Sequence, residues 1–158
     1  MKTKNILRLG GAIIYAELAG IIGSFFTASE IGTWYETLVK PSFNPPSWLF
    51  GPVWTILFAL MGISLYRIDA ALFAGKKKRI AEIMFHIQLV LNVAWSIIFF
   101  SFHAPGIALI EILFLLAAII ATAVLAYRVD RIAAWLLVPY ILWVSFATIL
   151  NFAIWRLN

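Results

Sequence analysis

The side chains best equipped for chemistry in this sequence are indoles and amides set at helical spacing. Gln88, Asn92, Trp95 and Phe99 fall on one face of one apolar stretch, and Trp143, Ala147, Leu150 and Ile154, flanked by Phe146, fall on one face of another. An amide in hydrocarbon must find a partner, so Asn92 points to the interior of a helix bundle. The faces of Asn92 and Trp95 and of Trp143 and Ala147 are expected to look inward at one cavity, with Ala147 leaving room. The competing reading is packing, with the tryptophans in an interfacial belt and Asn92 joining two helices.

Acid–base chemistry has fewer candidates. Glu17 and Glu111 fall within apolar runs, where an ionisable group is costly and marks either a functional site or a buried structural hydrogen bond. Glu111 is about one turn into its run and within reach of the interface. The two do not form a carboxylate pair at a catalytic spacing. His86 and His103 are too far apart for a helical metal pair, and no metal site is expected. Cysteine is absent, which excludes disulfides, thiolate ligands and cysteine nucleophiles. No Ser-His-Asp pattern, phosphate loop or nucleotide fingerprint occurs.

These residues are positioned by long apolar elements. Of 158 residues 64% are hydrophobic and only 12% charged, with mean hydropathy +0.99, which predicts an all-α integral membrane protein of one domain, 1–158. Five transmembrane helices are expected, over about 6–27, 47–72, 82–102, 107–127 and 133–155. A cleaved signal peptide is the rival reading of the first run, against which its length and Glu17 argue. Ala12, Ala16, Gly20 and Ser24 recur every four residues there and predict a close helix contact. Ser47 is placed to cap the second helix, with Pro52 in its first turns. His103 to Gly106 is short enough to make helices three and four a hairpin, and Pro139 predicts a kink in the fifth.

Between the first two spans, residues 28–46 form a lid-like loop that leads into a stretch rich in aromatics and proline. Trp34, Trp48, Trp54, Tyr35 and four prolines crowd about twenty residues, too aromatic for a solvated loop and too proline-rich for a helix. Trp34 to Pro46 are expected to form the cover, and Trp48 to Trp54 a cavity wall. Ten of the twelve basic residues (Lys2, Lys4, Arg8, Arg67, the Lys76 to Arg79 run, Arg128 and Arg131) fall on the amino-terminal side, leaving Lys40 and Arg156 opposite. The net charge of +5 is therefore read as a topology signal rather than as nucleic-acid binding: a cytoplasmic membrane location with the amino terminus inside. The lysine run serves as an anchor or binds anionic lipid head groups.

The order of these motifs resembles the translocator proteins, also called TspO or tryptophan-rich sensory proteins, whose mitochondrial members were named peripheral-type benzodiazepine receptors. The resemblance rests on Trp34-Tyr35, Lys40 to Pro46, Gly51-Pro52-Val53-Trp54, Leu91 to Trp95 with Phe99-Phe100, Trp135 to Tyr140, Trp143, Phe146 to Thr148, Leu150-Asn151 and Trp155-Arg156, and spans all five helices. It implies a receptor or sensor for porphyrins such as protoporphyrin IX and related hydrophobic molecules, requiring no cofactor. Carried across by position, the ligand-binding residues are Trp34, Tyr35, Phe50, Trp54, Asn92 and Trp95, and beyond them Ile107, Phe114, Trp143, Ala147 and Leu150. The alternatives are an enzyme degrading porphyrin with light and oxygen through Trp54 and Trp143, and a transporter of tetrapyrroles or sterols. A homodimer is implied, although Ile83 and Ile87 stand where dimeric relatives can present glycine or alanine. The sterol motif at the carboxyl end is broken, with Phe152 between Leu150 and Arg156 in the tyrosine's place, while Leu125, Tyr127 and Arg131 satisfy its loose form.

Overall fold

In a bilayer every backbone N–H and C=O must be satisfied within the chain, and the apolar runs of this sequence meet that demand as helices. The computed structural model describes residues 2–72 and 75–158, and of Lys2 the backbone alone. Five stretches are long and apolar enough to cross a membrane: Thr3–Ile31, Ser47–Ala70, Lys76–Ser101, Pro105–Tyr127 and Arg131–Leu157. All five expected spans are present, and the protein is an integral, multi-pass membrane protein.

Helix α1 (Lys2–Ile31) continues four residues past its expected end and takes the first part of the expected loop. A short helix, α2 (Trp34–Thr37), follows it, so the lid is part helix and part extended chain. Ser47–Leu49 form a 3-10 turn before α3 (Phe50–Ala70), and the Ser47 side chain caps nothing. Pro46 immediately precedes the turn, with an extended backbone, and sets the entry that the serine was expected to set.

The small-residue stripe is used over Ala12, Ala16 and Gly20. Ala16 is fully buried, and a Cβ on Gly62 of α3 would come within 2.9 Å of the Ile13 nitrogen and closer still to its Cα. A Cβ on Gly20 would strike the Phe58 ring. Ser24 falls outside the contact, exposed, with its hydroxyl donating to the Ile21 carbonyl at 2.7 Å.

Helix α4 (Lys76–Ser96) starts six residues before the expected Glu82, so the basic run forms its first turn instead of a loop. Cations there oppose the helix dipole. Lys78 is offset by Asp69, whose backbone carbonyl and carboxylate it meets, and by Glu82. Asp69 also pairs with Arg8, which ties α1, α3 and α4 together at this end. The helix then widens into a π-helical turn, Ile97–Ser101, unexpected from sequence. His103, at φ 49°, makes the tight reversal into α5 (Pro105–Tyr127), giving the predicted hairpin.

The fifth span is broken rather than merely kinked. Helix α6 (Arg131–Leu136) and α7 (Val138–Leu157) meet at Leu137, and Pro139 lies in the first turn of α7, where it has no ladder bond to lose. Asp130 caps α6 by accepting from the Ala133 N–H at 2.9 Å and takes Arg67 of α3 in a two-pronged pair at 3.0 and 2.7 Å. Burial works to raise the Asp130 pKa, but the Arg67 bonds and charge and the Ala133 and Ile132 N–H groups outweigh it and hold the carboxyl below its usual range. The buried Ser64 hydroxyl donates to the Ala133 carbonyl beside this pair.

Candidate functional site

At the opposite end from these ion pairs, the helices diverge around a cavity of about 380 Å³. That is within the usual range for small-molecule sites. The cavity is bounded by α1 from Glu17 to Ile31, α3 from Phe50 to Phe58, α4 with its π-helical turn from Asn92 to Phe100, and α7 from Trp143 to Ile154. The two aromatic faces read from the sequence therefore meet in one space. Its walls carry three indoles, of Trp54, Trp95 and Trp143.

Each indole is fixed by aromatic neighbours. Trp54 stacks on Phe58 at 5.5 Å and meets Tyr140 edge-on, Trp95 stacks on Phe99 at 5.0 Å, and Trp143 meets Phe50 edge-on at 6.1 Å. Offset and edge contacts of this kind suit the ring quadrupoles. Phe99 and Phe100, both in the π-helical turn, are buried with their rings 4.9 Å apart, and both border the cavity.

The polar groups are few and mostly committed. Asn92 Nδ2 donates to the Tyr140 hydroxyl at 2.8 Å, which supplies the partner its burial demands. Trp95 Nε1 donates to Asn151 Oδ1 at 3.1 Å, and Asn151 Nδ2 donates to the Pro105 carbonyl at 2.8 Å. The indole N–H groups of Trp54 and Trp143 make no hydrogen bond among the described residues. Gln88, one turn below Asn92, lies buried with both amide atoms unpartnered, and so do the carboxylate oxygens of Glu111.

The lid closes the end of the cavity through Tyr35, 5% exposed. Its hydroxyl donates to Asn44 Oδ1 at 2.8 Å, across the turn closed by Asn44 N–H on the Pro41 carbonyl, and Lys40 lies over its ring at 4.7 Å. Burial pushes the Tyr35 pKa up, against a smaller opposing effect of the Asn44 bond. The lid is clasped at two more points. Trp34 stacks on His103 at 4.3 Å while His103 Nε2 meets Glu30 Oε2 at 3.1 Å, and Asn158 bonds both the N–H and the carbonyl of Val39 at 3.0 Å.

Of the residues singled out from sequence, Tyr35, Phe50, Trp54, Asn92, Trp95, Trp143, Ala147 and Leu150 are brought to the cavity. Trp34 is held in the clasp and does not line it. Ile107 and Phe114 face outward on α5, 62% and 65% exposed, and Trp48, expected in the wall, points away at 72%. On α5 it is Ala108 and Ile112 that turn into the bundle, so one step of the 3.6-residue period carries the neighbouring positions outside. The sequence reading missed Asn151, Ser96 and the α1 wall as cavity features. Asn151 carries the same signal as Asn92, an amide in an apolar run.

The chain is 44% identical to the tryptophan-rich protein TspO of Chlorobaculum tepidum, over 98% of both chains. It is 44% identical to the tryptophan-rich protein TspO of Archaeoglobus fulgidus over 98% of this chain and 99% of that one, and 39% identical to the human translocator protein over 94% and 88%. Residues 12–156 match the TspO/MBR family pattern, and the chain belongs to that family.

Proposed function

We propose that this protein is a membrane receptor or sensor that binds porphyrins, protoporphyrin IX among them, and related flat hydrophobic molecules in the cavity beneath the lid. The observation that carries this reading is the enclosure of one apolar space by three indoles and several phenyl rings, with a closed cover and few uncommitted polar groups. A tetrapyrrole is a π-rich plate whose faces suit indoles. Burying a few hundred Å² of it contributes about 25 cal/mol per Å² before ordering costs. Its carboxylates belong at the mouth, where Lys40 of the lid, lying over the Tyr35 ring, supplies a cation. Family membership supports the reading. We propose further that the protein lies in a cytoplasmic membrane with its amino terminus inside, a reading supported by the basic bias toward the end opposite the lid.

Protoporphyrin IX should quench tryptophan fluorescence saturably. Trp143→Ala should weaken the quenching, and Ala147→Phe, which fills the space, should weaken it about tenfold or more. Wild-type binding by both variants would remove the cavity from consideration.

A second reading, light-driven breakdown of porphyrin by molecular oxygen, is favoured by one feature: Trp54 and Trp143 both border the cavity with indole N–H groups that have no partner among the described residues. Illumination in air should then bleach the Soret band and give one defined product over many turnovers. Loss of the protein's own tryptophans in step with the pigment would mark sacrificial photochemistry instead.

A further inference from the structure

The charge pattern of the cavity is lopsided. No lysine, arginine or histidine borders it among the described residues, and its one carboxylate is that of Glu17. Along α1 the cavity begins at Glu17, along α4 at Asn92 and along α7 at Trp143, while on the antiparallel α3 it ends at Phe58. These four make its floor. Glu17 lies fourteen residues before Ile31, which puts it on the order of 20 Å along the helix from the lid end. It is partly buried and makes no hydrogen bond or ion pair among the described residues. Elsewhere Arg8 pairs with Asp69, His86 meets the Tyr15 hydroxyl at 2.9 Å, and Lys40 lies over the Tyr35 ring.

A carboxyl in a largely apolar wall inside a bilayer, with no protein cation beside it, takes on its charge at a cost that a bound cation would offset, so cation binding and ionisation are coupled there. The indoles of Trp54 and Trp143 border the same space, and an indole face attracts a cation through its ring quadrupole. We infer that Glu17 is the specificity-determining residue of a cation-accepting subsite on the cavity floor, and that the site prefers apolar aromatic molecules carrying an ammonium group over neutral or carboxylate-bearing ones entering the same way. This rests on the cavity being the ligand site, and it adds an orientation to that reading: an anionic edge must stay at the mouth, away from Glu17.

Three probes of matched shape test it: 1-pyrenemethylammonium, 1-pyrenemethanol and 1-pyrenecarboxylate, each read by energy transfer from tryptophan to pyrene in protein held in neutral-lipid nanodiscs. Ala147→Phe serves as the control for simple partition into lipid. In the wild type the ammonium should bind about tenfold or more tightly than the carboxylate, Glu17→Asp should keep most of that ratio, and Glu17→Gln should bring it to within about threefold. Thermal unfolding confirms that the isosteric Gln variant is folded. A ratio unchanged in Glu17→Gln, or a wild type that favours the carboxylate, overturns the inference. So does failure of all three probes to bind above the Ala147→Phe control. Protoporphyrin IX titrated in parallel separates the two proposals. If it fails while the pyrene series shows the charge preference, the tetrapyrrole reading falls and the Glu17 subsite stands.

Discussion

Asp130 shows how one side chain can hold two elements at the end remote from the cavity. It caps α6 through the Ala133 N–H and pairs with Arg67 of α3. Asp130→Asn keeps an acceptor for the cap but loses the charge, whereas Asp130→Ala loses both. The expected order of stability is wild type, then Asn, then Ala, with the alanine variant lower by about 1–2 kcal/mol in detergent thermal unfolding. Because the folded carboxyl is held below its usual range, its contribution is present above the unfolded value near 4 and is lost as pH falls through the folded one. Wild-type stability should therefore drop more steeply below about pH 4 than that of Asp130→Asn. Equal slopes would show that the pair does not contribute. At this scale the sequence is readable wherever a residue type has one acceptable environment. Asn92 must find a partner in an apolar run, and it finds Tyr140. It could not be read from sequence that the partner is a tyrosine forty-eight residues away, because that depends on how α4 and α7 are rotated against each other.

At the scale of elements, the spans themselves were legible because length and hydropathy alone decide them in a bilayer. Their ends were less so. α1 and α4 each run several residues beyond the apolar stretch, since an interfacial turn of helix needs no hydrophobic side chains, only backbone partners. The π-helical turn at Ile97–Ser101 leaves no mark in composition, yet Phe99 and Phe100 within it both border the cavity. The lid was recognised as a cover, but its fastening was not, because His103, Glu30 and Asn158 are ordinary surface residues until the fold brings them to Trp34 and Val39. These clasps predict a kinetic effect. His103→Ala and Asn158→Ala each remove a tie between the lid and the bundle without touching the cavity wall. Association and release of protoporphyrin IX, followed by stopped-flow quenching, should both quicken about three- to tenfold with little change in affinity. A change confined to affinity would mean that the lid shapes the site instead of gating it.

Considered as a whole, the molecule is polarised along its axis, and the two ends do different work. One end gathers Arg8, Arg67, Asp69, Lys78 and Asp130 into ion pairs that join α1, α3, α4 and α6. The other opens into the aromatic cavity and carries Lys40 and the lid. The ion pairs thus lie at one end of the bundle while the cavity opens toward the other, with Glu17 on its floor. This arrangement predicts which end faces which compartment. The basic residues concentrated at the ion-paired end should be retained on the cytoplasmic side, and the lid should be exposed on the other. The chain contains no cysteine, so single cysteines report without background. Lys40→Cys should react with a membrane-impermeant maleimide in intact cells or right-side-out vesicles. Lys77→Cys, at the exposed start of α4, should react only after permeabilisation or in inverted vesicles. The reverse labelling pattern would place the lid in the cytoplasm, and a porphyrin would then have to reach the cavity from inside the cell.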